Sequence, residues 1–261
     1  MGNDTTDNPY LLEMTGVSKR FGAVQALWKV DFGVRAGEVM ALVGDNGAGK
    51  STLTKAIAGI YSLDEGEIRF AGEPVTIHSP RDAADLGIEI VYQDLALADN
   101  LDIVANMFLG RERLLRGIVL DEAGMERSAR ETLDSLSVTT VSSVRRNVAG
   151  LSGGQRQAVA VAKAVMWNSK VVILDEPTAA LGVAQTRQVL DLVRRLAEQG
   201  LGVVVISHNL HDIFEVADRI TVLRLGQRVA EFAVAETDQQ EVVRAITAGQ
   251  ISTVPGMEVG P

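Results

Sequence analysis

The sequence contains no cysteine among its 261 residues. Disulfides, thiol catalysis and thiolate metal sites are therefore excluded, and this composition suits a reducing compartment. Aromatic residues make up only 4% of the chain, which disfavours a platform for stacking nucleic-acid bases. No apolar run approaches the roughly 20 residues of a membrane-spanning helix, and residues 1–8 lack the basic, then apolar pattern of a secretion signal.

Basic residues are the minority among the charged residues. There are 25 of them against 34 acidic residues, for a formal net charge of −9. This balance argues against a general nucleic-acid-binding protein, and we predict no nucleic-acid partner. The charges are spread along the chain, as expected of a solvated surface.

A glycine-rich loop lies between an apolar run at residues 39–43 and a helical pattern at residues 53–58. It matches G-x-x-x-x-G-K-[ST] in the strand–loop–helix context of a phosphate-binding loop. Glycines let successive amide N–H groups point into one concavity, and the following helix adds partial positive charge. The predicted nucleotide-binding residues are Gly44, Asp45, Asn46, Gly47, Ala48, Gly49, Lys50, Ser51 and Thr52.

The remaining pattern predicts an α/β fold with a phosphate-loop NTPase core and a mainly parallel sheet. Residues 11–18 and 24–34 alternate apolar and polar side chains, which is typical of an N-terminal antiparallel β-subdomain. Residues 171–174 and 203–206 are short apolar runs, as in parallel strands that are covered on both faces. Residues 94–170 are mainly helical in pattern, and we interpret them as an inserted helical lobe.

One domain is predicted over residues 11–248. It is flanked by a flexible N-terminus at residues 1–10 and a flexible C-terminal tail at residues 249–261.

Polar side chains follow three of the predicted strands, at the edge where an open α/β sheet places its ligand. Asp175 and Glu176 close the run at residues 171–174; Asp175 can hold Mg²⁺, and Glu176 is the candidate for activating water. His208 and Gln93 also end strands and are, with Glu176, the candidate catalytic residues. His208 could hydrogen-bond a γ-phosphate oxygen or the attacking water, although a lone histidine is more often structural, and Gln93 could contact metal or water. The predicted metal ligands are Ser51, Gln93 and Asp175.

Two further features allow alternatives. Phe21 is either a core residue or an aromatic face for a nucleotide base. The segment Leu151, Ser152, Gly153, Gly154, Gln155 is either a plain helix start or an anion site. Ser152 is a fair helix N-cap, and a hydroxyl, bare amides and a helix N-terminus together suit an anion.

In their order along the chain, the phosphate loop, Gln93, the LSGGQ segment at residues 151–155, Asp175-Glu176 and His208 closely resemble the nucleotide-binding subunits of ABC transporters. The resemblance runs from about residue 11 to 248, and LSGGQ is its most specific part. It implies the ABC ATPase fold, with ATP and Mg²⁺ as ligands. It also implies a dimer with two ATP molecules bound head to tail, in which LSGGQ of one subunit meets the γ-phosphate bound by the other.

The resemblance also implies roles for single residues. Phe21 would stack on adenine, Gln93 would be the sensor that links metal to a transmembrane partner, and His208 would be the switch histidine. A groove formed by residues 93–106 and the helical lobe would pass dimer closure to a permease. Three leucines either line that groove or belong to the core of the lobe: Leu95, Leu97 and Leu101.

More narrowly, residues 92–97, 106–112 and 177–183 look like the ATPases of bacterial ribose, fructose and xylose importers. Many members of that group carry two fused ATPase halves, whereas this chain has one phosphate loop and one LSGGQ, so a homodimer is expected. Gly182 stands where most ABC proteins have Asp, a departure that the sugar-importer group commonly shares.

The resemblance therefore predicts the ATP-hydrolysing subunit of a monosaccharide importer, bound peripherally to the cytoplasmic face of the bacterial inner membrane. Its partners would be integral-membrane permease subunits and, indirectly, a sugar-binding protein. The alternative is a soluble interaction module in which ATP-driven dimerisation regulates a soluble partner. Such modules usually carry two ATPase units or a long coiled-coil insertion, and this chain has neither.

Overall fold

A computed structural model of the chain describes residues 10–249. The predicted flexibility of residues 1–9 and 250–261 lies outside the described residues. Tyr10 begins the first strand, and Gly249 caps the last helix.

The strands are β1 (Tyr10–Phe21), β2 (Val24–Arg35), β3 (Val39–Val43), β4 (Glu65–Phe70), β5 (Glu73–Val75), β6 (Ile88–Val91), β7 (Leu114–Leu115), β8 (Val119–Leu120), β9 (Val171–Asp175), β10 (Gly202–Ile206), β11 (Arg219–Arg224) and β12 (Gln227–Ala233). The helices are α1 (Lys50–Ile57), α2 (Pro80–Leu86), α3 (Ile103–Phe108), α4 (Glu122–Ser135), α5 (Gly153–Val165), α6 (Val183–Glu198), α7 (Leu210–Val216) and α8 (Gln239–Ala248). Two short 3₁₀ helices lie at Val148–Gly150 and Val234–Glu236.

The main sheet has the strand order β12-β11-β3-β10-β9-β6 and is parallel except for the edge strand β12. Its central strands alternate between two hydrophobic cores. In β3, Val39, Ala41 and Val43 pack on the side of the helices α3 to α6. Met40 and Leu42 pack on the side of β1, β2 and α1. Burial on both faces explains why these strands are apolar throughout.

A second, antiparallel sheet has the order β2-β1-β4-β5 and packs over the other face of the main sheet. Together the two sheets confirm the predicted α/β fold with a mainly parallel sheet and an N-terminal antiparallel subdomain. The long β1–β2 hairpin also brings the start of β2 close to the phosphate loop, as described below.

Residues 94–170 contain three helices, α3, α4 and α5, as the pattern predicts. They also contain the short hairpin β7–β8, which the sequence analysis did not predict. Arg116 and Gly117 adopt positive φ angles of 50° and 75° and reverse the chain between the two strands. The apolar residues beside this turn are exposed. In this hairpin, therefore, apolar side chains do not indicate burial.

A fully buried asparagine holds the segment that joins β6 to α3. Asn106 is 0% exposed, and its side-chain Oδ1 accepts a hydrogen bond from the amide of Ala98 at 2.7 Å. Its Nδ2 donates to the carbonyl oxygens of Ala98, Leu101 and Asp102 at 3.0, 3.3 and 3.0 Å. One side chain therefore satisfies four backbone groups and fixes the shape of this connection.

None of the helices within residues 10–249 has both the length and the apolar character needed to cross a bilayer.

We expect Asn106→Ala to lower the free energy of unfolding by about 1–3 kcal/mol, because it removes a fully buried side chain and leaves the Ala98 amide without its acceptor, whereas the three carbonyl oxygens keep a backbone donor. Asn100→Ala is the matched control, since Asn100 lies in the same segment and is exposed; it should change the value by less than about 0.5 kcal/mol. Urea unfolding of both variants measures the difference. Equal losses would show that the Asn106 hydrogen bonds do not stabilise the segment.

Candidate nucleotide-binding site

The glycine-rich loop leaves β3 at the carboxyl edge of the main sheet and enters α1 at Lys50. Gly44 has a φ of 149°, and a Cβ atom there would overlap the carbonyl oxygen of Leu223. A Cβ on Gly49, at a φ of 107°, would come within 2.9 Å of the carbonyl oxygen of Ala26. Only glycine fits at these two positions, because the neighbouring backbone approaches too closely for any side chain.

The turn between β11 and β12 is hydrogen-bonded to the phosphate loop. The Gly226 amide donates to the carbonyl oxygen of Ala48 at 3.0 Å, and the Gly226 carbonyl accepts from the Trp28 amide at 2.7 Å. The phosphate loop, β2 and this turn are thus joined by backbone hydrogen bonds. Their shape does not depend on flexible side chains.

A cavity of about 240 Å³ lies over the loop. It is lined by Val24, Gln25 and Ala26 from β2 and by residues 46–52. No acidic residue occupies the first turn of α1, and Lys50 Nζ donates to the carbonyl oxygens of Gly44 and Asp45 at 2.6 and 3.1 Å. Exposed amides, a helix N-terminus and a lysine make this cavity suitable for a polyphosphate.

Asp175 is the last residue of β9 and lies close to the lysines of α1. Burial, followed by the charge of Glu176, raises the pKa of the Asp175 carboxyl, while Lys50 and Lys55 oppose the increase. The predicted magnesium ligand and the predicted phosphate-binding lysine are therefore brought together. The ionised carboxylate is only partly compensated by the chain itself.

Glu176 and His208 are in direct contact. Glu176 Oε2 lies 2.9 Å from His208 Nδ1; the glutamate side chain is 17% exposed and the histidine side chain 79% exposed. Glu176 has a positive φ of 51°, and its amide donates to the carbonyl oxygen of Ile206 at 2.8 Å. Such a backbone conformation costs energy and is held here by the neighbouring strand β10.

Gln93 reaches the same edge of the sheet. Strand β6 runs parallel to β9, with Val91 opposite Leu174, so Gln93 follows the strand end beside Asp175 and is exposed. The adjacent Tyr92 has its phenol pKa raised by burial and by the charge of Asp175, which shows that this segment lies near the acidic pair.

The segment at residues 151–155 begins α5 but does not line the cavity over the phosphate loop of its own chain. Ser152 is the N-cap of α5, and its exchange of hydrogen bonds with Gln155, at 3.0 and 3.4 Å, forms a capping box. A Cβ on Gly153 would lie 2.9 Å from Leu181 Cδ2, so the end of that leucine side chain would have to shift. The segment is a capped helix start, and it can also be an anion site, because the first turn of a helix has amide donors that no backbone carbonyl accepts.

Phe21 lies at the end of β1, 42% exposed, with its ring edge-on to Tyr61 at a centroid distance of 5.0 Å. It does not line the cavity over the loop; Val24, Gln25 and Ala26 do, and the sequence analysis missed them. Strand alternation predicts that these three residues lie in a strand, but it carries no signal for which distant loop they face.

A second cavity, of about 290 Å³, lies between the end of β6, α3 and α5; we call it the β6–α5 groove. Leu95 lines it, as the sequence analysis anticipated as one alternative, whereas Leu97 and Leu101 do not. The charged side of the groove was not predicted from the sequence. That side consists of Arg111 and Lys163 with Glu89, whose carboxyl pKa is raised by burial.

The loop after β9 is fixed to α7. Thr178 Oγ1 donates to Asp212 Oδ2 at 2.7 Å, and Asp212 is 5% exposed. Gly182 caps α6 with its amide 3.4 Å from Gln185 Oε1 and is exposed. Gly182, which stands where most ABC proteins have Asp, is thus at a surface position.

Comparison with known proteins agrees with these features. A sequence profile of the ABC transporter family matches residues 27–179, more than half of the chain. A fructose import ATP-binding protein of Rhizobium meliloti is 48% identical over 92% of this chain and 95% of its own length. A xylose/arabinose import ATP-binding protein of Sulfolobus acidocaldarius is 47% identical over 94% of this chain and 96% of its own. A ribose import ATP-binding protein of Rubrobacter xylanophilus is 45% identical over 92% of this chain but only 48% of its own length.

Solved structures give the same result at the level of the fold. A nucleotide-free ATP-binding cassette from an ABC transporter superposes with a TM-score of 0.79 at 26% identity, covering 92% of this chain and 96% of that one. The phosphate loop, the LSGGQ segment and the profile match lead to one conclusion. The chain belongs to the ATP-binding subunits of ABC transporters.

Proposed function

We propose that this chain hydrolyses ATP to energise the import of a monosaccharide, as a homodimer bound to a permease at the cytoplasmic face of a bacterial membrane. The observation that carries the ATPase part is the phosphate-loop cavity beside Asp175 and the Glu176–His208 contact. The sugar part is supported by relatives named as fructose and xylose/arabinose import proteins, which match over nearly their full length.

The phosphate loop binds the nucleotide through its backbone. Amides of residues 46–52 face the triphosphate, and Lys50 exchanges its two carbonyl partners for the β- and γ-phosphates. The start of β2, at Val24 to Ala26, covers the open side of the cavity. We retain Phe21 as a candidate for adenine contact, because its exposed ring lies near the same end of the β1–β2 hairpin.

The residues at the strand ends fit Mg²⁺. Asp175 has a half-buried carboxyl with a raised pKa, and Ser51 presents an exposed hydroxyl in the first turn of α1. Among the described residues, no group of three or more His, Asp or Glu side chains forms a metal site. In this proposal Ser51, Asp175 and Gln93 would hold the ion together with phosphate oxygens of the nucleotide. When bound, Mg²⁺ neutralises phosphate charge.

Glu176 orients and deprotonates the attacking water in this proposal. His208 Nδ1–H donates a hydrogen bond to Glu176 Oε2, which keeps the ionised carboxylate in one position and leaves the other ring nitrogen free of this contact. That nitrogen is available to the γ-phosphate. Gln93 completes the edge on the side of β6, where it can sense whether the site is filled.

The dimer follows from where the LSGGQ segment lies. Ser152 and Gly153 are exposed, and the segment is not part of the phosphate cavity of its own chain. The capping box occupies the Ser152 and Gln155 amides, but the Gly153 amide and the proton of the Ser152 hydroxyl are available to the γ-phosphate on a second copy. Each ATP would then be a bridge between two chains. If ATP binds the closed pair more tightly than the open pair, binding closes the dimer and hydrolysis reopens it.

The β6–α5 groove is the surface that we assign to the permease. It adjoins Gln93 directly and combines apolar side chains, such as Leu95 and Trp167, with the charges of Arg111 and Lys163. A cytoplasmic helix of the permease that lies there would move together with Gln93 and the helical lobe. The fixed connection held by Asn106 runs along one side of this path.

We expect Glu176→Gln to lower the kcat of ATP hydrolysis by at least about 100-fold, because the amide cannot accept the proton of the attacking water. ATP binding should persist, and size-exclusion chromatography should show a dimer that depends on ATP. Glu198→Gln, at the exposed end of α6, is the control and should hydrolyse ATP normally. Normal turnover in Glu176→Gln would remove Glu176 from the catalytic role.

Asp175→Asn should stabilise the nucleotide-free chain while it weakens Mg²⁺-dependent turnover. A carboxyl whose pKa is raised by folding destabilises the fold once it is ionised, and that penalty is present at neutral pH and disappears as the pH falls towards 3.8. Because the group is only partly buried, we expect a gain in Tm of only about 1–2 °C at pH 7. Thermal unfolding at pH 7 and pH 4 gives the comparison. A gain that is larger at pH 4 would contradict this explanation.

Uptake assays test the sugar part. A host strain that lacks this chain should lose uptake of one labelled monosaccharide from a panel of fructose, xylose, arabinose and ribose. The wild-type chain should restore it, and Glu176→Gln should not. Unchanged uptake of every sugar in the panel, with ATPase activity intact, would reject the sugar assignment but leave the ATPase assignment standing.

A further inference from the structure

The hairpin β7–β8 and its flanks form an exposed apolar projection. Every residue from 109 to 120 is exposed, and we call this segment the lobe hairpin. It holds six of the fourteen large apolar side chains that are exposed in residues 10–249, all within twelve consecutive residues. The six and their exposures are Leu109 49%, Leu114 51%, Leu115 53%, Ile118 86%, Val119 62% and Leu120 47%. Such a concentration marks a site of interaction.

Both faces of the hairpin are apolar. Leu114 pairs with Leu120 and Leu115 pairs with Val119, and successive residues of a strand point to opposite faces. Each face therefore carries two apolar side chains that are about half exposed. A folded partner surface would cover one face and leave the other in water, whereas an apolar medium that surrounds the hairpin would cover both.

The charge of the segment is opposite to that of the chain. The lobe hairpin contains Arg111, Arg113 and Arg116 against Glu112, in a protein with a net charge of −9. Within the part of the chain that the structure describes, Arg113 and Arg116 form no ion pair. Arg113 lies over the ring of Phe108, and Arg116 lies in the turn. Apolar side chains flanked by arginines are suited to a layer of anionic lipid headgroups.

The lobe hairpin begins at the rim of the β6–α5 groove, which is lined by Leu109 and Arg111. If the permease occupies that groove, the adjoining face of the chain is directed towards the membrane. This step rests on the proposed function, whereas the exposure and the charge do not.

We propose that the lobe hairpin inserts shallowly into the headgroup region of a membrane that contains anionic lipid, and so holds the chain at the bilayer beside its permease. The apolar tip, with Ile118 and Val119, enters the boundary of the acyl chains. Arg113 and Arg116 remain at the level of the phosphates.

Vesicle flotation with the full-length chain alone tests the proposal. Vesicles of phosphatidylcholine with about one third phosphatidylglycerol provide the anionic surface, and vesicles of pure phosphatidylcholine provide the neutral one. The wild-type chain should float with the anionic vesicles, and less so at high salt. The double variant Ile118→Ser and Val119→Ser should bind them at least about 10-fold more weakly. Arg116→Gln should weaken binding and reduce its salt dependence.

Val243→Ser is the control, since Val243 is an exposed apolar residue of α8, 44% exposed, far along the chain from the hairpin. It should bind vesicles as the wild type does. ATPase activity should be normal in all of these variants, which separates loss of lipid binding from failure of the proposed function. Wild-type chain that stays with neither kind of vesicle, or a double variant that binds as well as wild type, would overturn the proposal. It would also be overturned if the double variant lost only the permease and kept the vesicles, since the hairpin would then be a protein contact.

Discussion

The close approach of three backbone segments at the phosphate loop is the constraint on which the rest of the site depends. Gly44 lies against the Leu223 carbonyl, Gly49 lies against the Ala26 carbonyl, and Gly226 hydrogen-bonds to both Ala48 and Trp28. These contacts join the main sheet, the antiparallel sheet and the β11–β12 turn around one loop. The amides that line the phosphate cavity are therefore oriented before any ligand arrives, and binding requires little reorganisation.

The same edge of the sheet carries charge that the chain does not fully balance. Asp175 and Glu176 repel each other, and Lys50 and Lys55 offset only part of the effect that raises the Asp175 pKa. Glu176 also holds a left-handed backbone conformation. Strain and unbalanced charge at one place are typical of a site that a ligand completes, and they are tolerated because the surrounding core is well packed. A magnesium ion would offset the charges of the two carboxylates, and a triphosphate would offset those of the two lysines.

Features that depend on local pattern could be predicted from the sequence. The phosphate loop, Asp175-Glu176 and the helix start at Ser152 are set by residues that are adjacent in the chain, and the apolar central strands follow from burial on both faces. Features that depend on distant contacts could not. The cavity wall at Val24–Ala26 and the brace at Gly226 come from segments that meet only in the fold. The hairpin β7–β8 and the exposure of its apolar residues were not predicted either.

The central claim is that ATP joins two copies of this chain, with the LSGGQ segment of one against the phosphate loop of the other. The absence of cysteine makes a direct measurement possible. Ser152→Cys and Asn46→Cys, both at exposed positions, can be combined in the Glu176→Gln chain and oxidised with and without Mg-ATP. The account predicts a disulfide between chains that forms only with Mg-ATP. A chain that binds ATP but forms no such disulfide, or forms it equally without ATP, would contradict it.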